Sequence, residues 1–300
     1  MSIIYYQLSL NKVVRGYNKQ IINGKKSKNK VLPTQWKTAN VTPVHKKGPK
    51  DEPSNYRPIS FTSIPCKMLE HIVLHYLNET LDNVLYNRQH GFRKGLGCET
   101  QLCATYHDLA KAIENGSPVH GVVLDFRKAF DKVPHNLLMQ KIRQITDINP
   151  SIANWIQRFL TERTQRVAVR GILSTNLPVP SGVPQGSVLG PRLFLIYIND
   201  LPECNVSLYA NDTRLYSEVN SHENKRCFQM KIDALHEWSN KWTMPFNTKK
   251  CEVIILGKGS LTDPEYTLGG IPLKFVQQTR YLGVEMQSNL RFELYKAFSP

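Results

Sequence analysis

The apolar and polar positions of this chain follow two different periods, which predict helices and strands in turn from about residue 36 onward. Apolar residues recur at the spacing of one helical face in six segments: residues 63–77, 102–113, 134–145, 151–160, 188–199 and 222–242. Runs rich in β-branched and aromatic residues predict strands at 41–44, 121–126, 165–170, 206–210, 213–219, 251–256 and 280–284, a hairpin at 266–273, and a proline-flanked loop at 53–58. Because these elements do not follow a strict β–α–β alternation, we expect an α+β fold with an antiparallel sheet.

Two of the predicted strands, 206–210 and 213–219, flank a pair of polar residues. This spacing predicts a tight hairpin with Asn211 and Asp212 at its tip, since both residue types suit turns. A second acid, Asp125, ends the apolar run 121–126. A buried acid needs a basic partner or a metal ion, so the two carboxylates would form a metal site if their strands were neighbours. A plain surface hairpin is the alternative.

Charge and composition favour a polyanionic partner. The chain has 300 residues, 41% of them hydrophobic, and a net charge of +15. Residues 1–60 hold twelve Lys and Arg against two acidic residues, so residues 1–32 are interpreted as a basic, poorly structured arm. Such an arm either binds a nucleic-acid backbone or is simply solvated. No apolar run is long enough for a membrane span, no secretory leader is evident, and the six cysteines lack a C-x-x-C pair, so we expect an intracellular protein of the cytoplasm or nucleus, not secreted, with reduced and mostly buried thiols.

Seven blocks of sequence occur in a characteristic order beside the hairpin. They are residues 36–48, 55–60, 89–93, 124–133, 182–191, 247–250 and 281–284. Together with Tyr209-Ala210-Asn211-Asp212, they resemble the reverse transcriptase domain of non-LTR (LINE-type, jockey-like) retrotransposons over about residues 33–285. The resemblance implies an RNA-directed DNA polymerase with right-hand fingers and palm, and with the thumb largely missing.

The same resemblance implies a division of the chain and a set of partners. Residues 33–120 would form the fingers, 121–275 the palm with some interleaving, and 276–300 the primer-grip hairpin and the start of a truncated thumb. The partners would be an RNA template, a DNA primer, deoxynucleoside triphosphates, and the element RNA in a ribonucleoprotein, with no membrane partner. Two Mg²⁺ ions would be the cofactors, with Mn²⁺ as an alternative.

Individual site residues also follow from the resemblance. The catalytic set would be Asp125, Asp212, Asn211 and Lys250, with Lys249 as the alternative to Lys250. The metal ligands would be Asp125, Asn211, Asp212 and the backbone of Phe126. The nucleotide-binding set would be Arg57, Arg93, Phe126, Phe130, Gln185 and Gly186, and the primer grip Tyr281, Leu282 and Gly283.

Some of these roles have a physical reason in the residue type. Arg57 and Arg93 carry the planar donor fork that suits phosphate, and a surface ion pair is the alternative for each. Phe130 would clash with a ribose 2′-hydroxyl, unless it is an ordinary core aromatic. Lys250 would serve as a cation or proton donor to the leaving pyrophosphate.

The chain departs from the family pattern at Asn211, where the family carries aspartate. Asparagine keeps the turn and offers a neutral oxygen, but it removes one negative charge from the ligand set. We therefore expect a reverse transcriptase fold whose polymerase activity is impaired. The alternatives are a catalytically inactive nucleic-acid-binding remnant, and a polymerase of the group II intron or telomerase type, which would not be expected to carry the 36–48 block.

Overall fold

The structure is a computed structural model that describes residues 32–202, 206–257, 265–288 and 292–294. Apart from Leu32, the basic arm expected at residues 1–32 lies outside these residues. Within the described part, no helix is both long and apolar enough to cross a membrane.

Six of the eight helices assigned in the described residues lie close to the positions that the apolar periodicity predicts. The eight are α1 (Thr34–Lys37), α2 (Ile64–Leu81), α3 (Cys98–Glu114), α4 (Ala129–Lys132), α5 (His135–Gln144), α6 (Pro150–Leu160), α7 (Gly190–Ile198) and α8 (His222–Lys241). Helix α6 illustrates the cause. Asn149 caps it by accepting a hydrogen bond from the Ser151 nitrogen at 2.8 Å, and Pro150 occupies its first turn. Its predicted apolar face is buried throughout, so burial of that face stabilises the helix.

Fifteen strands are assigned in the described residues. They are β1 (Thr38–His45), β2 (Tyr56–Phe61), β3 (Val119–Asp125), β4 (Thr164–Val169), β5 (Ile172–Leu173), β6 (Leu177–Pro178), β7 (Val206–Tyr209), β8 (Asp212–Glu218), β9 (Glu252–Leu256), β10 (Thr267–Leu268), β11 (Ile271–Pro272), β12 (Lys274–Phe275), β13 (Gln278–Tyr281), β14 (Val284–Gln287) and β15 (Phe292–Leu294). The 266–273 hairpin is confirmed as β10 and β11.

The chain forms two compact units, each made of two separate segments. Among the described residues, the first comprises 32–85 and 130–197. Its sheet has the strand order β2-β1-β4-β5, with β6 also paired to β4. Strand β1 pairs antiparallel with β2 and parallel with β4. Helices α2, α5, α6 and α7 supply the buried apolar side chains of this unit, among them Leu77, Ile142, Phe159 and Phe194.

The second unit comprises residues 86–129 and the described residues from 198 onward, and it contains the expected antiparallel sheet. The strand order is β12-β9-β3-β8-β7, and every pair is antiparallel except the short β12·β9 pair. Helix α3 packs on the face that carries Val119, while α8 brings Phe228 to the opposite face, 6.4 Å from the ring of His120. The central strand β3 is therefore covered on both faces, which explains its nearly continuous apolar sequence.

Several sequence expectations differ from the structure. Residues 53–58 are not simply a loop, because β2 begins at Tyr56 and pairs with β1 despite Pro58. Residues 280–284 are not one strand: Leu282 and Gly283 take positive φ angles of 47° and 91° and form the turn between β13 and β14. The short helices α1 and α4 are not anticipated by the sequence pattern. Of the five described cysteines, all free, only Cys66 and Cys251 are buried.

Candidate active site

Asp125 and Asp212 lie directly opposite each other in the second unit. Strand β3 ends at Asp125, β8 begins at Asp212, and the antiparallel register pairs the two residues. Opposed residues of an antiparallel pair point to the same face, with Cβ atoms about 5 Å apart. The Asp125 side chain is 29% exposed, and Asp212 is exposed. The two carboxylates thus share one accessible corner of the sheet.

The turn that carries Asn211 is one residue earlier than predicted. Strand β7 ends at Tyr209 and β8 begins at Asp212, so the turn residues are Ala210 and Asn211 instead of Asn211 and Asp212. Ala210 has a φ of 55°, a left-handed conformation that costs about 1–2 kcal/mol for a residue with a Cβ. This shift places Asp212 in the strand, where it is aligned with Asp125. The side-chain nitrogen Nδ2 of Asn211 lies 3.5 Å from Asp212 Oδ1.

Gln89 stabilises this turn. Its side chain is buried, and Oε1 accepts hydrogen bonds from the backbone nitrogens of Ala210 and Gly91, both at 2.8 Å. Its Nε2 donates to the Ala210 carbonyl at 3.2 Å. A Cβ on Gly91 would lie 2.2 Å from the Ala210 nitrogen, so the segment requires glycine there. The 89–93 block therefore has a structural role beneath the hairpin.

Lys250 brings a positive charge to the same corner. It ends a 3₁₀ turn, Thr248–Lys250, immediately before β9, the other neighbour of β3. Its Nζ lies 3.3 Å from Asp125 Oδ2, and the side chain is 61% exposed. The backbone nitrogen of Asn247 donates to the Asp125 carbonyl at 2.6 Å, which ties this turn to the end of β3. Lys250 is therefore placed to act on the Asp125 carboxylate or on a ligand beside it.

Other groups around the corner are held neutral. Burial raises the pKa of the Cys251 thiol to about 11. A hydrogen bond with Cys98, followed by burial, raises the pKa of Tyr209 to about 12. Neither residue is therefore charged at neutral pH.

Phe126 can contribute only its backbone to this site. Its ring is buried and stacks on Phe246 with centroids 4.6 Å apart, and the Trp238 ring lies at 6.1 Å. These rings pack beneath the end of β3. The resemblance implies that the Phe126 backbone carbonyl is a metal ligand, and its oxygen is a suitable donor for Mg²⁺.

The other predicted site residues of the second unit, Arg93 and the primer-grip residues, lie on different elements from the two acids. Arg93 Nη1 donates to the carbonyls of Tyr86 and Gln89 at 3.2 and 3.4 Å. Tyr281 is buried, whereas Leu282 and Gly283 form the β13–β14 turn. Arg214, two residues after Asp212, lies 4.3 Å above the Tyr281 ring and donates to the Arg280 carbonyl, which links β8 to β13.

Four of the candidate nucleotide-binding residues lie in the first unit. The nitrogen of Val183 donates to the Phe130 carbonyl at 2.8 Å, which brings Phe130 to the loop that carries Gln185 and Gly186. The Phe130 ring stacks on Phe194 at 4.6 Å. Arg57 is exposed on β2, the strand that also contacts this loop through a hydrogen bond from the Ser60 nitrogen to the Gln185 carbonyl at 2.7 Å.

The donor atoms at the corner suit a hard divalent cation. Two carboxylates, an amide and a backbone carbonyl are all oxygen donors, which Mg²⁺ prefers. No group of three His, Cys, Asp or Glu side chains gathers anywhere in the described residues. Mg²⁺ is commonly held by one or two carboxylates together with substrate phosphates, so Asp125 and Asp212 fit an ion that arrives with a nucleotide.

Three buried polar residues escaped the sequence interpretation: Gln89, Arg214 and Glu70. Gln89 belongs to the 89–93 block of the resemblance. Its place in that block, two residues before Gly91, was the only indication in the sequence that it has a structural role. Arg214 and Glu70 lie within apolar strand and helix patterns, where a lone charged residue looks like a solvent-facing position. Their burial, at 4% and 0% exposure, depends on contacts that no local pattern encodes.

Comparisons with known proteins agree with this geometry. The family model described as reverse transcriptase (RNA-dependent DNA polymerase) matches residues 44–286. The chain is similar to the RNA-directed DNA polymerase from mobile element jockey of Drosophila melanogaster, with 31% identity over 87% of the chain and 30% of that protein. It is also similar to the probable polymerase from transposon X-element of the same species, with 28% identity over 97% of the chain and 32% of that protein. It thus spans about a third of these relatives.

Solved structures show the same fold. Apo telomerase from Candida tropicalis aligns with a TM-score of 0.60 at 12% identity, over 96% of the chain and 53% of the telomerase. At that identity the likeness concerns the fold alone, and it agrees with a mixed α and β architecture of the fingers and palm type.

Proposed function

The chain belongs to the reverse transcriptase family, and we propose that it is the RNA-directed DNA polymerase domain of a jockey-like mobile element, with activity impaired by Asn211. The observation that carries the proposal is the pairing of Asp125 with Asp212 at one end of the antiparallel sheet, with Lys250 3.3 Å from Asp125. We propose the fingers at residues 33–120, the palm at 121–275 and the primer-grip hairpin and thumb start at 276–300.

Each residue of the corner has a role in nucleotidyl transfer. Asp125, Asp212, the Asn211 amide oxygen and the Phe126 carbonyl would hold two Mg²⁺ ions, with Mn²⁺ as an alternative. When bound, these ions activate the primer 3′-hydroxyl and stabilise the charge of the phosphoryl transition state. Lys250 would donate a proton or its charge to the leaving pyrophosphate, with Lys249 as the alternative.

The first-unit residues and Arg93 would bind the incoming nucleotide. Arg57 and Arg93 would contact its phosphates through their donor forks. The Phe130 ring would exclude a ribose 2′-hydroxyl, and the Gln185–Gly186 backbone would allow close approach of base and sugar. In the second unit, Leu282 and Gly283 would contact the primer. The template would be RNA and the primer DNA, within a ribonucleoprotein of the element RNA inside the cell.

The substitution at position 211 weakens this site through charge. At about 4 Å and an effective dielectric constant near 20, one unit charge contributes roughly 4 kcal/mol to the attraction of another. As a change in barrier, this corresponds to about a thousandfold in rate. Asparagine supplies no such charge, and its amide nitrogen, 3.5 Å from Asp212 Oδ1, instead offers a donor to a proposed metal ligand.

A second candidate function follows from the same residue. With one acid missing, the domain would be a nucleic-acid-binding remnant that keeps its basic surface and has lost its metal chemistry. Titration with Mg²⁺ and salt-dependent RNA binding separate the two. RNA binding that weakens with salt, without detectable Mg²⁺ binding in the presence of nucleotide, favours the remnant.

The polymerase proposal is tested by primer extension on an RNA template with Mg²⁺. The Asn211→Asp form is compared with the same form carrying Asp125→Asn. Glu218→Gln, at the far end of β8, is the matched control. We expect extension by the Asn211→Asp form and its control, and at least a hundredfold loss with Asp125→Asn. Extension that survives Asp125→Asn would exclude the proposed site.

A further inference from the structure

Glu70 is a fully buried carboxylate in the first unit that the proposed mechanism does not use. It lies on α2, at 0% exposure. Its Oε2 accepts hydrogen bonds from the backbone nitrogens of Val188 and Leu189 at 2.7 and 3.1 Å. These two residues connect the loop at 184–187 to the start of α7. One side chain of α2 therefore binds the backbone at the end of the loop that carries Gln185 and Gly186.

Glu70 lies among groups that hold its Oε2 in one place. Burial raises the pKa of the Glu70 carboxyl group, and the backbone donors of Leu189 and Val188 and the Arg163 guanidinium offset only part of this rise. Arg163 is itself buried, and its Nη1 donates to the Phe159 carbonyl at 3.0 Å at the end of α6. Cys66, one helical turn before Glu70, has its pKa raised to about 12 by burial and by the carboxylate, so its thiol stays protonated. Because an exposed carboxyl group readily exchanges such hydrogen bonds for bonds to water, the buried Glu70 side chain is held more firmly than an exposed one.

A second anchor holds the other end of the same loop. The Ser60 nitrogen donates to the Gln185 carbonyl at 2.7 Å. Gly186 has a φ of 97°, and a Cβ there would lie 2.8 Å from the Ser60 carbonyl oxygen. The loop is thus fixed by β2 at residue 185 and by Glu70 at residues 188 and 189. Without Glu70, residues 187–189 and the start of α7 would lose the attachment to α2.

We propose that Glu70 is a positioning residue for the 184–189 loop, and that by fixing this backbone it sets the affinity for the incoming nucleotide. The first part concerns the folded chain alone. The second part rests on the proposed polymerase function. Loss of the Glu70 acceptor leaves the N–H groups of the part-buried Val188 and the buried Leu189 without this partner, which destabilises the backbone at the end of the loop. The loop would then sample other conformations, of which only a fraction binds nucleotide.

The test uses Glu70→Met, which removes the acceptors, and Glu70→Gln, which keeps one oxygen in the same shape. Glu79→Met, on an exposed side chain of the same helix, is the matched control. Amide hydrogen exchange at Val188 and Leu189 is measured in the whole chain, with the amides of α5 and α6 as internal references. We expect exchange at the two amides to rise at least tenfold in Glu70→Met and less in Glu70→Gln, with the references unchanged.

Nucleotide kinetics form the second arm, in the Asn211→Asp form of each variant. We expect the KM for the deoxynucleoside triphosphate to rise about tenfold in Glu70→Met, with kcat changed less than about threefold. Exchange at Val188 and Leu189 equal to that of the Glu79→Met control, or a rise shared equally by the α5 and α6 amides, would overturn the proposal. If Glu70→Met does not fold, Glu70→Gln decides: a rise in exchange at Val188 and Leu189 above the Glu79→Met control, with the references unchanged, supports the proposal, and the absence of such a rise overturns it.

The two arms separate this proposal from the proposed function. If no form of the chain extends a primer, the polymerase function fails, while the exchange arm still decides whether Glu70 fixes the loop. If primers are extended and the exchange arm is positive, a fall in kcat at constant KM would overturn the role in nucleotide affinity.

Discussion

Gln89 and Ala210 exchange hydrogen bonds in both directions, so one buried side chain satisfies both backbone groups of a turn residue in a left-handed conformation. The residues are 121 positions apart in the chain. This contact stabilises the turn at Ala210 and Asn211, which leaves Asp212 in the strand, opposite Asp125. The alignment of the two acids is therefore supported by a neutral amide that lies outside the hairpin.

Replacing Gln89 by Leu should destabilise the chain. The change leaves the Ala210 nitrogen, the Ala210 carbonyl and the Gly91 nitrogen without their buried partner, at a cost of about 3 kcal/mol. Urea unfolding of Gln89→Leu, compared with Gln140→Leu on the exposed face of α5, measures this cost. Equal free energies of unfolding in the two variants would show that Gln89 does not stabilise the turn.

Adding a methyl group at Gly91 should be more costly than adding one at Gly95. In Gly91→Ala the new Cβ would lie 2.2 Å from the Ala210 nitrogen, so the backbone must move. Gly95→Ala meets no atom within 4 Å and is strained only by its φ of 77°, which costs about 1 kcal/mol. We expect Gly91→Ala to lose at least about 2 kcal/mol more in a urea titration. A smaller loss than in Gly95→Ala would contradict the close approach.

Stability should fall with pH below neutrality because of His120. Burial lowers its pKa to about 4, and its Nδ1 shares a hydrogen bond with the Tyr266 hydroxyl at 2.7 Å. The unfolded chain, with a histidine pKa near 6.5, binds more protons between pH 6.5 and 4. The contribution of His120 is therefore present above pH 6.5 and is lost towards pH 4, by at most about 1.4 kcal/mol per pH unit.

The measurement for His120 is the free energy of unfolding between pH 7.5 and 4.5. His120→Phe removes the titrating group and keeps an aromatic ring beside Phe228 and Tyr266. We expect a shallower pH dependence in the variant, even if its absolute stability is lower. Parallel curves would mean that another group causes the acid sensitivity.

Local patterns were sufficient for most of the fold. The stripe at 151–160 predicted α6 because burial of that face and the Asn149 cap are both properties of the local sequence. The hairpin turn was misplaced by one residue because the deciding partner, Gln89, lies far away in the chain. Strand β2 was missed because two flanking prolines suggest a loop, whereas pairing with β1 outweighs that signal. The β13–β14 turn was not predicted because Leu282 occupies it, and leucine seldom adopts a positive φ.

The candidate site, like the fold, could be predicted only in part from the sequence. The motif around Asp125 and Asp212 predicted two converging carboxylates, and the sheet register places them opposite each other. No pattern distinguished Glu70 from the exposed Glu79 of the same helix, because the contacts of Glu70 are with Val188 and Leu189, more than 110 residues away. Long-range polar contacts of this kind leave no periodic trace in the sequence.

Replacing Phe130 by Val should relax the discrimination against ribonucleotides. The Phe130 ring stacks on Phe194. The smaller valine side chain would leave room for a 2′-hydroxyl. In the Asn211→Asp form we expect the ratio of kcat/KM for deoxynucleotide over ribonucleotide to fall roughly tenfold or more. Phe61→Val, at an exposed position of the same unit, is the control. An unchanged ratio would assign Phe130 to packing alone.

If the loss of one negative charge at position 211 weakens a polymerase site, restoring it should raise the rate of primer extension. The chain is compared with Asn211→Asp on the same RNA template and DNA primer at saturating Mg²⁺ and nucleotide. We expect a rate increase approaching a thousandfold in Asn211→Asp. Equal and robust extension by both forms would contradict this expectation.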